Sequence, residues 1–265
     1  MSGEKREMTY VVTSTYYSEE DVVRSRLAKK FADGVAELPD TELIMIDGGS
    51  CDGFRNEILS NNPDVMFLPQ SERGMDAARL QGFRVAKSMA EQFKATYGDA
   101  SVAIQWSEPE KVGFVKFIPT VVRPILAGTA DVVIPNRLSM ESYPYFQMLT
   151  ETAACEFVSQ IVGVKWDQFF GPVAASFEGI EHFIHFDSEK HDRAGTGGYG
   201  RIHLPRFDAL KQGMRVKTVE IDYRHPQGQT EEEAGNMLMN MKRVRQLHDI
   251  LSATLEYAQG LGLTN

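Results

Sequence analysis

The amino-acid sequence predicts an α/β protein with a mainly parallel central sheet, and two observations carry this prediction. Short apolar runs rich in β-branched residues recur along the first half of the chain, as buried strands do. Longer segments with the apolar spacing of amphipathic helices separate these runs. Strands that alternate with helices imply crossover connections, which join parallel strands. Ligands of such sheets bind at the carboxyl ends of the strands.

The predicted elements follow one another in a regular order. Strands are expected at 8–13, 42–47, 65–68, 101–106, 131–134 and 216–223. The first helix is expected to begin at Ser18, because the acidic residues that follow it suit the positive end of a helix dipole. Further helices are expected at 73–97, from Pro109 onward, at about 143–162 and at about 230–259.

The chain has 265 residues, and its hydrophobic content of 42% is ordinary for a globular protein. The alternating pattern changes after about residue 140, but no linker or internal repeat divides the chain. We therefore predict one domain over 1–265, with a first half at 1–135 and a second half at 136–265.

The net charge of −9 disfavours nucleic-acid and membrane-surface partners, which need basic patches. No apolar run is long enough to span a bilayer, and the charged first residues lack the apolar stretch of a signal peptide. The two cysteines, Cys51 and Cys155, do not form a disulfide framework. We therefore expect a cytoplasmic protein.

The clearest motif is IDGGSCDG at 46–53, where a strand ends in Asp47 and a glycine-rich turn follows. A carboxylate at this place can accept hydrogen bonds from a base or ribose, and glycines let a ligand approach the backbone. The alternative is a structural turn in which Ser50 or Asp52 caps the next helix.

Three ordered segments resemble the family 2 glycosyltransferases and their relatives with the GT-A fold. The segment VTSTYYSEE at 12–20 looks like the family's IPxYNEE, and 46–53 is similar to its DDGSTDG. The segment SERGMDAARLQG at 71–82 looks like the glycine- and asparagine-rich stretch that follows. The resemblance implies the GT-A fold, with a parallel sheet, helices on its faces and an elaborated C-terminal half.

The resemblance also implies a nucleotide-sugar site at these motifs, with 1–135 as the nucleotide-sugar-binding half and 136–265 as the acceptor-binding half. Thr15 and Tyr16 would lie beside the base, and Asp47 would contact base or ribose. Arg73 and Gly74 would lie near the ribose or diphosphate, although Arg73 could equally be a surface residue at a helix start.

The family's D-x-D motif is replaced here by E-x-E, at Glu108 and Glu110. Two carboxylates at a strand end can bind a hard divalent cation, so Mg²⁺ or Mn²⁺ is the expected cofactor. His225 stands where relatives place a further metal or phosphate ligand, and KRVRQL at 242–247 extends the likeness. The alternatives are a solvated helix start at 107–110 and a loop histidine before proline.

Relatives carry an acidic residue before a glycine turn in the region that faces the acceptor. Asp167, in WDQFFGP at 166–172, is therefore the candidate base for the acceptor hydroxyl, which requires hydrogen-bond reach to that proton. Glu151 is a weaker competitor, and a turn or cap aspartate is the structural alternative for Asp167.

Two further segments have structural interpretations. A loop is expected at 182–203, and its GTGGYG stretch at 195–200 lacks a preceding strand, so this stretch is interpreted as a mobile loop or lid and not as a dinucleotide motif. Met237, Leu238, Met239 and Met241 indicate helix packing or a homodimer interface.

The sequence thus predicts a glycosyltransferase that moves a sugar from a UDP- or GDP-type donor to a small hydroxylated acceptor. A nucleotide-sugar-binding protein without catalysis is the alternative, supported by the E-x-E substitution. A sugar-phosphate nucleotidyltransferase is disfavoured, because 13–20 has neither the glycines nor the basic residues of that class's phosphate loop.

Overall fold

A computed structural model describes residues 6–191 and 198–264 of the chain. Within these ranges a seven-stranded sheet has the order β3-β2-β1-β4-β6-β5-β7. The strands are β1 (Glu7–Thr15), β2 (Thr41–Asp47), β3 (Met66–Pro69), β4 (Ser101–Trp106), β5 (Val132–Arg137), β6 (Val173–Ser176) and β7 (Val216–Ile221). Only β6 runs antiparallel to its neighbours in this part of the chain.

Helices connect the strands and cover both faces of the sheet. They are α1 (Val22–Ala36), α2 (Asp52–Asn61), α3 (Met75–Tyr97), α4 (Ile118–Leu126), α5 (Tyr145–Val162), α6 (Ile180–Ile184), α7 (Ser188–His191), α8 (Gly200–His203), α9 (Pro205–Lys211), α10 (Gln227–Glu233) and α11 (Met237–Gly260). A 3-10 helix (Val112–Phe117) precedes α4.

The core has two apolar layers because successive residues of a strand point to opposite faces of the sheet. Val11 of β1 packs in one layer with side chains of α1, α2 and α4. Val12, its neighbour in the chain, packs in the other layer with side chains of α3, α5 and α11. The sheet is therefore enclosed by helices, which leaves the strand ends as the place for a site.

The predicted α/β class with a mainly parallel sheet is confirmed, but several boundaries were wrong. The first helix begins at Val22 and not at Ser18, since Asp21 accepts hydrogen bonds from Ser18 in a turn before it. After Pro109 a turn and the 3-10 helix precede α4. The single helix predicted at about 230–259 is two helices, separated near Gly235, which has φ +73°.

Two features of the second half were not predicted. Strand β6 was missed because its sequence, VAAS, is short and small. The predicted loop at 182–203 contains the short helices α7 and α8 and the end of α6. The glycines at 195 and 197 lie outside the described residues, so the lid stays a prediction.

Both cysteines are free in the structure. Within the described ranges, no helix combines the length and apolar character needed to cross a membrane.

Helix α3 approaches β1 closely at Gly82. A Cβ atom added there would overlap with Val12 Cγ1. We expect Gly82→Ala to lower the free energy of unfolding by about 1–3 kcal/mol, the usual cost of overpacking a core. Gly53→Ala is the control, since a Cβ at this position of α2 meets nothing within 4 Å. Equal urea denaturation midpoints for the two variants would contradict this packing.

Candidate functional site

A cavity of ≈ 380 Å³ lies between the carboxyl end of β4 and the helices of the second half. Glu108 and Glu110 follow β4 and line it, together with His225, which follows β7. Helices α5 and α11 contribute side chains to its other walls. The structure therefore brings together all three residues that the sequence predicts as metal ligands.

Asp47 holds the glycine-rich turn together at the carboxyl end of β2. Its Oδ1 atom accepts hydrogen bonds from the Thr15 hydroxyl at 2.9 Å and from the Ser50 hydroxyl at 2.5 Å. Its Oδ2 atom accepts hydrogen bonds from the backbone N–H groups of Gly49 and Ser50, at 3.2 and 3.1 Å. The Ser50 side chain thus binds Asp47, and the N-cap position of α2 belongs to Cys51.

The other predicted nucleotide residues lie along the same edge of the sheet. Tyr16 is 71% exposed, and its ring lies beside Gly48. Arg73 is exposed, and Gly74 has φ +107° directly before α3. None of the five predicted nucleotide residues is among the described residues that line the cavity. Thr15 ends β1 and Tyr16 follows it, and β1 pairs in parallel with β4, which precedes Glu108.

Glu108 has a buried carboxylate oxygen that lacks a hydrogen-bond partner within the described ranges. The nearest cation is Lys111, whose Nζ atom lies 3.8 Å from Glu108 Oε2. The carboxylate packs against Gly171, where a Cβ atom would overlap with Glu108 Oε1. A buried oxygen without a hydrogen-bond partner costs stability, so its presence needs an explanation. A ligand that binds Glu108 would provide that explanation.

Glu110 is already engaged by neighbouring donors. Its Oε1 atom accepts hydrogen bonds from the Tyr17 hydroxyl at 2.8 Å and from Arg24 Nη2 at 2.7 Å. Both donors come from the segment between β1 and the first turns of α1. Burial and the charge of Glu110 raise the pKa of Tyr17, which keeps its hydroxyl protonated as a donor.

His225 is oriented by a relay of hydrogen bonds. The Thr230 hydroxyl donates to the carbonyl oxygen of Ser142 at 2.9 Å, so it accepts from His225 Nδ1 at 2.7 Å. This assigns the proton to Nδ1 and leaves the lone pair on Nε2. Burial, followed by the charge of Lys111, lowers the pKa of His225 to about 4, so the ring is neutral at pH 7. A neutral imidazole oriented in this way is the form that binds metals.

As they are arranged here, the three predicted ligands do not form a complete metal centre. Among the described residues, no group of three or more His, Cys, Asp or Glu side chains could hold an ion. The residue types nevertheless fit a hard divalent cation, because Glu108 has an orphaned oxygen and His225 a free lone pair. Glu110, in contrast, is paired with Arg24.

A buried ion cluster borders the cavity through Arg137 and Glu151, which line it, whereas Asp167 is not among the described residues that do so. Arg137, at the end of β5, donates hydrogen bonds to Asp167 Oδ2 and Oδ1 at 2.5 and 2.7 Å, and to Glu151 Oε2 at 2.9 Å. Its guanidinium also lies 4.8 Å from the ring centre of Tyr143. Burial acts to raise the pKa of Asp167, but the charge and hydrogen bonds of Arg137 hold it below its ordinary value.

This pKa shift predicts a pH-dependent stability. A carboxyl group whose pKa is depressed in the folded state stabilises the fold above its unfolded pKa, and the effect is lost in acid. We expect wild type to be more stable than Asp167→Asn by a constant amount between pH 7 and about pH 5. The difference in the free energy of unfolding between wild type and Asp167→Asn should decrease as the pH falls through 3.8, the ordinary pKa of aspartate. Urea titrations that show a pH-independent gap would contradict this prediction.

Arg24 and Arg137 were missed by sequence reasoning. Arg137 could have been found, since it lies three residues after the predicted strand at 131–134, at the edge where ligands bind. Arg24 carried no signal, because it is one of several basic residues in the predicted helix after Ser18. The KRVRQL segment at 242–247 was recognised from the sequence. Four of its residues line the cavity, namely Lys242, Arg243, Gln246 and Leu247.

The predicted GT-A fold agrees with the mainly parallel sheet, with the helices on both of its faces and with the folds of similar solved structures. One similar solved structure is glucosyl-3-phosphoglycerate synthase of Mycobacterium tuberculosis, with a TM-score of 0.55 and 16% identity over 93% of this chain and 80% of that chain. A complex of that synthase with Mn²⁺, uridine diphosphate and glucosyl-3-phosphoglycerate has a TM-score of 0.52 and 15% identity, with the same coverage of both chains.

A third similar structure, described as a mycobacterial protein, has a TM-score of 0.55 and 17% identity over 93% of this chain and 74% of that chain. At these identities the likeness establishes the shared fold. No protein-family profile matches the chain. No curated protein matches it either.

Proposed function

We propose that the protein is a glycosyltransferase that moves a sugar from a UDP- or GDP-type donor to a small hydroxylated acceptor. The observation that carries this proposal is the shared cavity of Glu108, Glu110 and His225 at the carboxyl end of β4. The two glutamates and His225 come from distant parts of the chain, and they line one cavity where open α/β sheets bind their ligands.

The nucleotide is proposed to lie along the edge formed by β1, β2 and the start of α3. The exposed ring of Tyr16 offers a face for the base, and Asp47, oriented by Thr15, offers carboxylate oxygens to base or ribose. Gly74 opens the N-terminus of the long helix α3, where backbone N–H groups favour a phosphate. Arg73, beside it, would add a positive charge near the diphosphate.

Mg²⁺ or Mn²⁺ is the proposed cofactor, with Glu108, Glu110 and His225 as its ligands. When bound, such an ion stabilises negative charge on a departing diphosphate. The chain's own residues prepare the place: Gly171 leaves room for the Glu108 carboxylate, and Thr230 orients His225. The synthase complex with Mn²⁺ and uridine diphosphate supports this combination of ligands on the same fold.

Asp167 remains the proposed base on the acceptor side. Both of its oxygens are hydrogen-bonded to Arg137, so proton uptake requires this ion pair to loosen. Glu151 is the second candidate, because it lines the cavity and its Oε1 atom is held by Gln147 Nε2 at 2.7 Å. Asp167→Asn and Glu151→Gln, compared for transfer rate, distinguish the two.

Nucleotide release from UDP-, GDP- and dTDP-sugars in the presence of Mn²⁺ tests the proposed function. We expect acceptor-dependent release from at least one donor. Neither release nor binding of any donor would refute the proposal.

A nucleotide-sugar-binding protein without catalysis is the second candidate. Two observations favour it: glutamates replace the D-x-D aspartates, and Arg24 engages Glu110. Calorimetry separates the candidates, since tight metal-independent donor binding without turnover would identify a binding protein.

The single domain, the cytoplasmic location and the homodimer stay proposals. Met237 and Leu238 at the start of α11 are 70% and 77% exposed, which is compatible with pairing of two copies. Light scattering would measure the mass in solution.

A further inference from the structure

Arg24 reaches from α1 to the carboxylate that the fold offers to a divalent cation. Its Nη2 atom lies 2.7 Å from Glu110 Oε1, and the side chains of Arg24 and Glu110 are 52% and 12% exposed. The guanidinium carbon lies 5.8 Å from the ring centre of Tyr17, whose hydroxyl binds the same oxygen. Glu110 thus has a solvent-facing cation on an otherwise enclosed carboxylate.

The two carboxylates of the E-x-E motif are in contrasting states. Glu108 has a buried oxygen with no hydrogen-bond partner among the described residues, and its nearest cation is 3.8 Å away. Glu110, in contrast, has both a cation and a hydroxyl at hydrogen-bond distance. Glu108 therefore keeps an oxygen that can accept a ligand, whereas Glu110 is already paired with Arg24.

Resting on the proposed function, we infer that Arg24 competes with the divalent metal for Glu110 and must be displaced before the metal binds. Because its side chain is long and half-exposed, Arg24 can leave without unfolding of α1. Arg24 and Lys242 both line the cavity, so a displaced Arg24 stays close to an anionic diphosphate. Metal and nucleotide therefore assist each other, and such coupling is reciprocal.

The test is a titration with Mn²⁺ alone, followed by electron paramagnetic resonance of the free ion. We expect Arg24→Met to bind Mn²⁺ about fivefold more tightly than wild type, the size of a partly exposed ion pair. Arg26→Met is the matched control, because it removes the same charge from an exposed position of the same helix. Arg24→Lys should fall between wild type and Arg24→Met, since lysine keeps the charge without the planar fork.

A second titration with uridine diphosphate present tests the coupling. The nucleotide should increase the Mn²⁺ affinity of wild type more than that of Arg24→Met, in which no competitor has to leave. Equal affinities of wild type and Arg24→Met without nucleotide would overturn the inference. An equal increase in Mn²⁺ affinity in Arg26→Met would also overturn the inference. The absence of Mn²⁺ binding in every variant would overturn it as well. The proposed function fails separately, when no nucleotide-sugar binds or reacts.

Discussion

Replacement of Arg137 by methionine is expected to lower the free energy of unfolding by about 3–5 kcal/mol, the usual effect of removing one partner of a buried ion cluster. The Arg137 side chain is only 2% exposed, and it pairs with Asp167 and Glu151. Without the guanidinium, two carboxylates stay in the interior with no cation between them. The loss includes the contact with the ring of Tyr143.

Arg215→Met is the matched control for this variant. Arg215 also pairs with a carboxylate, Asp131, but its side chain is 55% exposed. Water and salt screen such a pair, so little change is expected. Urea denaturation of both variants measures the difference. A similar effect at the two positions would show that burial does not set the strength of the Arg137 cluster.

Glu108→Gln is expected to reduce nucleotide release about 100-fold while leaving the free energy of unfolding unchanged or slightly higher. The amide keeps the size of the side chain but lacks the charge that a cation needs. Stability is spared because the buried Glu108 oxygen has no hydrogen bond within the described ranges to lose, and its ion pair with Lys111 is long, at 3.8 Å. If Glu108 served only the structure, Glu108→Gln would lower the free energy of unfolding and keep the activity.

Glu178→Gln serves as the control for Glu108→Gln. Glu178 is 65% exposed on the side chain, and it lies 3.9 Å from Lys94. The stability and the activity of Glu178→Gln should both stay close to those of wild type. Full activity of Glu108→Gln would remove Glu108 from the proposed metal ligands.

Parts of the fold were predictable because local sequence decides them. Strand β4 was predicted with its bounds at 101–106, since a wholly buried strand reads as a continuous apolar run. Strand β6 could not be found, because it is held by pairing with β4 and β5 and not by its own propensity. The break near Gly235 divides a segment that is helical on both sides, and a glycine alone does not predict a break.

In the candidate site, too, some residues were predictable from local sequence, whereas their contacts were not. Glu108, Glu110 and His225 were predicted from strand ends and family likeness, and the structure places them in one cavity. Their internal partners, Arg24 and Thr230, could not be predicted, because these contacts depend on how helices pack across the strand ends. Asp167 was predicted as a base, but its pairing with Arg137 required the three-dimensional fold.

A crystal structure of the protein with UDP and Mn²⁺ tests whether Glu108, Glu110 and His225 bind a metal beside the nucleotide. We predict one ion with Glu108, Glu110 and His225 within about 2.0–2.6 Å, the range of oxygen and nitrogen ligands to hard cations. We also predict that the base lies beside Tyr16 and Asp47 and that Arg24 lies away from Glu110. A nucleotide bound elsewhere, or an ion held by other residues while Arg24 still pairs with Glu110, would contradict these predictions.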